Sequence, residues 1–160
     1  MGHAEAATVI HAPVEVVWNC LNDIEHTREW VVGLVDAEIV TSSPYGVGTI
    51  YKDYNRLGPM LQVTPWRITV FEPLRCQVHE SESASLPSKM TLNLLPAPDG
   101  STYLQMIVEY QFLLRLGLIG RVLEGLLMNR LLKQVLRQNQ ANLNAYLRRP
   151  VKPKAVSIPT

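Results

Sequence analysis

From Gly33 to about Leu114 the chain is cut into strand-length runs by turn signals that stand too close together to leave room for crossover helices. The runs are GLVDAEIVTSS, VGTIYKDYNR, LQVTPWRITVFE, LRCQVHESES, SKMTLNLLP and STYLQMIVEYQFLL, punctuated by PYG, LGP, EP and APDG. Parallel neighbours need a long connection, usually a helix, whereas antiparallel ones accept a tight turn. The segment is therefore expected to be an antiparallel meander. Asp99-Gly100 is its strongest hairpin signal, because Gly supplies the positive φ that tight turns need. Pro65, inside the third run, argues for an edge strand or a bulge there.

Two short pieces precede the meander. AEAATVIH reads as a strand, which brings the count to seven. Pro13 then stands where a helix tolerates a missing N–H, and Val14, Val17, Trp18 and Leu21 recur at helical spacing. Asn22 or Asp23 is placed to cap a second short helix that ends around Trp30–Gly33. After the meander, the chain reads as helix from about Leu118 to Arg148. At about 1.5 Å per residue that is roughly 45 Å, against roughly 29 Å for seven strands about 4.8 Å apart. The class is α+β, with a helix long enough to cross the whole sheet. A chain of 160 residues suits one domain with one core, expected to span 1–149. PVKPKAVSIPT, with three prolines and no periodicity, is expected to be a disordered tail over 150–160.

The long helix has two faces. From Met128 onward Leu132, Val135, Leu136, Leu143, Tyr146 and Leu147 form one apolar stripe with Asn139 on its line, the pattern of a helix packed on a sheet. Ahead of Met128, Ile119, Val122, Leu123, Leu126 and Leu127 fall on the side that later becomes polar. Three accounts stay open: a break near Gly125, a front end apolar all round because it closes a cavity or meets a second copy, or a helix resting on a membrane surface with Arg115 and Arg121 at the headgroups. In a straight helix Gly125 leaves room beside the sheet, and Arg121 is placed to meet an anionic head.

Charge is divided unevenly. Residues 1–111 hold 6 basic and 13 acidic side chains, a net of −7, and residues 112–160 hold 9 and 1, a net of +8. No nucleic-acid motif accompanies the basic third, so a basic helix beside an acidic sheet is the preferred reading. Cys20 and Cys76 make neither CxxC nor zinc spacing and read as reduced thiols of a cytoplasmic protein. No signal peptide is visible. FLLRLGLIGRVLEGLLM is too interrupted by charge to span a membrane.

Catalytic signatures are scarce. Walker, dinucleotide, zincin and nucleophile-elbow motifs are all missing, and no cofactor is implied. His26 and Glu29 share a helix face but lack the further ligands a metal needs. Strand TIYKDYN has two registers, one burying Ile50, Lys52 and Tyr54, the other Tyr51, Asp53 and Asn55. Facing inward, Asp53 becomes a candidate general acid or base. Glu80, in phase with Cys76 and Val78, is a second candidate. Met90, Leu92 and Leu94, then Leu104, Met106, Val108 and Tyr110, are expected on the inner face.

The order strand, two short helices, meander and long helix resembles the START-like superfamily of polyketide cyclases/dehydrases and lipid-transport proteins (SRPBCC), with its helix-grip fold. The likeness covers about residues 4–148. It is carried by IHAPVEVVWNCLNDIEHTREW, by GVGT at Gly46–Thr49, by ITVFEP at Ile68–Pro73 and by PDGST leading into Tyr103. It implies a curved sheet gripping the helix around a cavity for lipids, polyketides or other hydrophobic molecules. It places Trp30 near the mouth, Tyr51 and Asp53 inward, and Met90, Leu92, Met106, Val108 and Tyr110 on the wall. Trp66, Arg121, Gly125 and Met128 complete the expected ligand contacts. The family has no universal catalytic residue to carry over. The first expectation is thus a binding or carrier protein for a small hydrophobic molecule. The second is a cyclase or dehydratase in which Asp53, Glu80 or Tyr110 moves a proton. The third is an interaction module using Ile119–Leu127, as a homodimer or at a membrane.

Overall fold

The computed structural model describes residues 2–81, 87–111 and 118–149, without the side chains of Leu57 and of residues 118–124. The tail at 150–160 lies outside the described residues. Strand β1 is Gly2–Ile10, followed by helix α1, Val14–Asn22, and a 3-10 helix, Ile24–Glu29. The meander comprises β2 (Leu34–Ile39), β3 (Ile50–Leu57), β4 (Met60–Glu72), β5 (Cys76–Ser81), β6 (Ser88–Pro96) and β7 (Thr102–Tyr110). Helix α2 is Leu118–Leu147. All seven strands join one antiparallel sheet in the order β1-β7-β6-β5-β4-β3-β2. The first strand therefore closes against the last. Register shifts between Leu34 and Asp36 and between Ile68 and Val70 add the local bend and twist that curve a sheet around a helix.

The second short helix is a 3-10 turn, and neither expected cap closes it with a side chain. Asn22 turns back, its Nδ2 donating to Trp18 O at 2.7 Å. Asp23 pairs with His26 Nδ1 at 2.8 Å. That contact also occupies the histidine weighed as a metal ligand, and among the described residues no cluster could hold a metal.

Pro65 sits on β4, an interior strand, and the bulge lies further along at Ile68. Trp66 with Ser81 is the last described β4–β5 pair. Ile68 N–H points to the β3 side, donating to Thr49 O at 2.9 Å. By alternation the Pro65 nitrogen faces the β5 side, next to the last described pair.

Helix α2 runs through Gly125 without a break, which removes the first of the three accounts of its front end. Leu126, Leu127 and Leu131 are exposed along it. Among the described residues no helix is long and apolar enough to cross a membrane.

The helix lies down where the sheet offers small residues. Ala4 and Ala6 on β1 face it, and Gln140, itself buried, donates from Nε2 to Ala6 O at 3.0 Å and to Leu104 O at 3.1 Å. Leu143 and Leu104, with no exposed surface, fill the space between. Each such burial contributes about 1.5–3 kcal/mol. Gly2 permits another close approach: a Cβ there would lie 2.1 Å from the Tyr110 ring. A second, smaller core of Ile24, Leu34, Ala37, Tyr51 and Ile68 forms under β2–β4. Between the two cores the helix and sheet part.

Candidate functional site

The gap is a cavity of about 300 Å³, at the lower end of the range for small-molecule sites. One wall is apolar. Met90 and Leu92 on β6, Met106 and Val108 on β7, and Leu132, Val135 and Leu136 on α2 supply it. Methionines there can adapt to a ligand's shape. Leu21, Ile24, Trp30 and Val31 close one side. The segment Trp30–Val32 is tied to α2 by two amides: Val32 N donates to Asn139 Oδ1 at 2.9 Å, and Asn142 Nδ2 donates to Trp30 O at 3.1 Å.

The facing wall is polar and comes from three neighbouring strands. Tyr51 and Asp53 lie two apart on β3 and so share its inner face. Trp66 on β4 pairs directly with Tyr51 and stands diagonal to Asp53. His79 on β5 stands diagonal to Trp66, whose partner there is Ser81. All four line the cavity. Tyr51 Oη and His79 Nδ1 are 2.8 Å apart, with the rings edge to face.

Burial sets the chemistry of this wall. It pushes Asp53 up to about 7, with the Trp66 indole N–H pulling slightly the other way; that N–H completes no well-formed hydrogen bond. Burial lowers His79 to about 4, so its ring is neutral near pH 7. Burial, then Asp53 and Tyr45, raises Tyr51 well above the usual phenol range, which keeps its hydroxyl protonated. The wall thus pairs a carboxyl poised between its two states with a neutral imidazole and a phenol. The Cys20 thiol is pushed up to about 12 by burial and by Asp23, which makes it a poor nucleophile.

Of the residues expected to meet a ligand, Trp30, Tyr51, Asp53, Trp66, Met90, Leu92, Met106, Val108 and Tyr110 surround this one space. Gly125 and Met128 are not on its wall; among the described side chains of α2, those from Leu132 onward reach the cavity. The Arg121 side chain lies outside the described residues. Glu80 is corrected: it is exposed and accepts from Thr69 Oγ1 at 3.2 Å, away from the cavity. The inner phase of β5 is Gln77 and His79, while Val78 finds low exposure on the other face beside its partners Val70 and Thr91. Tyr110 lines the cavity, but its hydroxyl donates to Asn129 Oδ1, which leaves it less suited to proton transfer than Asp53.

His79 is the functional candidate that sequence reasoning passed over. Its signal was a histidine at an interior position of a central strand, legible only once the phase of CQVHES is known.

The family model for polyketide cyclase/dehydrase and lipid-transport proteins matches residues 1–148. No curated protein sequence matches the chain. Among solved structures, a START superfamily protein from Mycobacterium smegmatis superposes with a TM-score of 0.76 at 12% identity, covering 91% of this chain and 97% of that one. The Zhui aromatase/cyclase from a Streptomyces species gives 0.74 at 13%, covering 96% and 97%. A Thermus thermophilus protein gives 0.70 at 16%, covering 90% and 98%. At these identities the likeness is one of fold, and it is the helix-grip arrangement of sheet and long helix. With the family model spanning nearly the whole sequence, the chain belongs to the polyketide cyclase/dehydrase and lipid-transport family.

Proposed function

We propose that the protein binds a small, mainly hydrophobic molecule in the cavity between sheet and α2. The observation that carries this reading is the cavity's division into an apolar wall from β6, β7 and α2 and a polar wall from β3, β4 and β5. Apolar walls exclude water and supply affinity, and a few fixed polar groups set orientation. At about 300 Å³ the occupant is on the scale of one to three fused rings rather than a full-length lipid. The two free thiols, Cys20 and Cys76, are in keeping with a cytoplasmic setting. Native mass spectrometry of freshly purified protein tests the reading. Retained small molecules, or uptake from lipid and aromatic libraries, are expected. A protein that emerges empty and takes up nothing would end it.

One observation favours a second reading, a cyclase or dehydratase. A carboxyl held at about 7 by burial is matched to general acid–base work at neutral pH. Asp53 would take a proton from a carbon beside a ketone and return it to a departing hydroxyl, while the walls hold the chain folded. Under this reading Asp53→Asn abolishes turnover and spares binding; full activity in that variant removes Asp53 from the chemistry.

A further inference from the structure

Buried polar atoms in folded proteins almost always have partners, so one left over beside a cavity marks where a ligand atom belongs. His79 carries such an atom. The residue is 1% exposed and lines the cavity, Nδ1 is occupied by Tyr51, and Nε2 has no partner among the described residues.

A count of protons identifies what is missing. A neutral imidazole has one donor nitrogen and one acceptor. If the Tyr51 hydroxyl donates, Nδ1 accepts, the ring proton sits on Nε2, and one group is stranded. If Nδ1 donates instead, the hydroxyl proton and the Nε2 lone pair are both stranded. A stranded buried group costs about 1–3 kcal/mol, so the first arrangement is the more stable. His79 therefore offers an N–H, and what it lacks is an acceptor. The rest of the wall narrows the class. Asp53 stands on the same face, and among the described residues no Lys or Arg lines the cavity. A carboxylate would meet that acid without a cation to offset it. A plain hydrocarbon would leave the His79 donor stranded.

Resting on the cavity reading above, we propose that the ligand is neutral and presents an accepting oxygen, as in a ketone, ester or aryl ether, to His79 Nε2–H, with Tyr51 as the positioning residue that fixes the tautomer. Selection then works largely by penalty. A site built to donate rejects the analogue that lacks the acceptor, because its own N–H stays unpaired.

Three bicyclic probes of one size separate the outcomes by titration calorimetry: α-tetralone, tetralin and tetralin-1-carboxylate. The ketone is expected to bind about tenfold more tightly than tetralin, the worth of one good hydrogen bond, and the carboxylate no better than tetralin. His79→Phe should close the gap, and His79→Gln, which keeps a side-chain N–H, should restore part of it. Tetralone and tetralin binding equally to the wild-type protein would overturn this inference and leave the cavity reading standing. No binding by any probe would overturn both. Nitrogen-15 NMR of the unaltered protein adds a readout independent of any variant's folding. His79 should show a protonated Nε2 and an unprotonated Nδ1, and Tyr51→Phe should mix the two tautomers. A protonated Nδ1 in the wild-type protein would overturn the proposal.

Discussion

The two sides of the sheet treat the same helix differently. Against β1 and the Leu104 end of β7, α2 lies flat: alanines face it, Gln140 bonds to strand carbonyls, and Leu104 and Leu143 are sealed. Against β3–β5 it stands off, and the polar wall of the cavity there is Tyr51, Asp53, Trp66 and His79. On the closed side the apolar side chains are sealed and the buried Gln140 amide is bonded. The open side keeps a largely buried acid and an imidazole nitrogen with no partner among the described residues, groups that cost free energy where a hydrocarbon would cost none. Stability is concentrated on one side, and the strain of a binding site is carried on the other.

Cavity-forming substitutions should break the comparison most sharply. Leu104→Ala on the closed side is expected to cost about 3 kcal/mol, within the range for sealed leucines whose neighbours cannot collapse. Met90→Ala, on a wall that already borders empty space and where Met90 is only half-buried, should cost less than about half of that, because little new void is created. Urea denaturation of both variants measures the difference. Equal losses would mean that the cavity is packed in solution.

Of comparable size is the dependence of stability on pH, where the two titrating groups of the open wall oppose each other. His79 has its folded value lowered from 6.5 to about 4. Between those values the unfolded chain binds more protons, so this contribution rises with pH. Asp53 has its folded value raised from 3.8 to about 7. Between those values the folded chain binds more protons, so this contribution falls as pH rises. From about pH 4 to 6.5 the two slopes nearly cancel. Asp53→Asn should leave a profile that climbs with pH across that window relative to wild type. His79→Phe should leave one that declines from about pH 4 to 7. Denaturation midpoints at several pH values check both signs, and a pair of unchanged profiles would place these groups in solvent.

The same division decides what could be read from sequence. Strand order followed from local chemistry: Asp99-Gly100 and Gly58-Pro59 make turns whatever lies around them. The α2 stripe after Met128 followed from its period. The open wall depended on register, which is a tertiary property. Tyr51 and Asp53 could be placed inward only through a family resemblance. His79 was hidden because Val78, the obvious apolar residue of β5, points the other way, and Glu80 was misplaced with it. Gln140 escaped notice for a related reason: a buried amide in a stripe of leucines contradicts the pattern unless its strand-carbonyl partners are known. Polar residues that break the hydrophobic code are the ones this site is made of.

The smallest effect is expected at Pro65, on the strand that passes from one regime to the other. In the middle of a sheet a proline removes a ladder bond and is strongly disfavoured. Here its nitrogen faces the β5 side beyond the last described pair, Trp66 with Ser81. Pro65→Val is expected to change stability by no more than about 0.5 kcal/mol: every described pair of β4 is already formed with the proline in place, and the relaxed φ restriction costs a little through the unfolded chain. Amide exchange in the variant sharpens the point, since the N–H introduced by the substitution should exchange quickly while that of Ile68, bonded to Thr49 O, stays protected. A slowly exchanging amide at that position, with a gain of about a kcal/mol or more, would show that the ladder between β4 and β5 continues past Trp66 and that the polar wall is buttressed further than the described pairs imply.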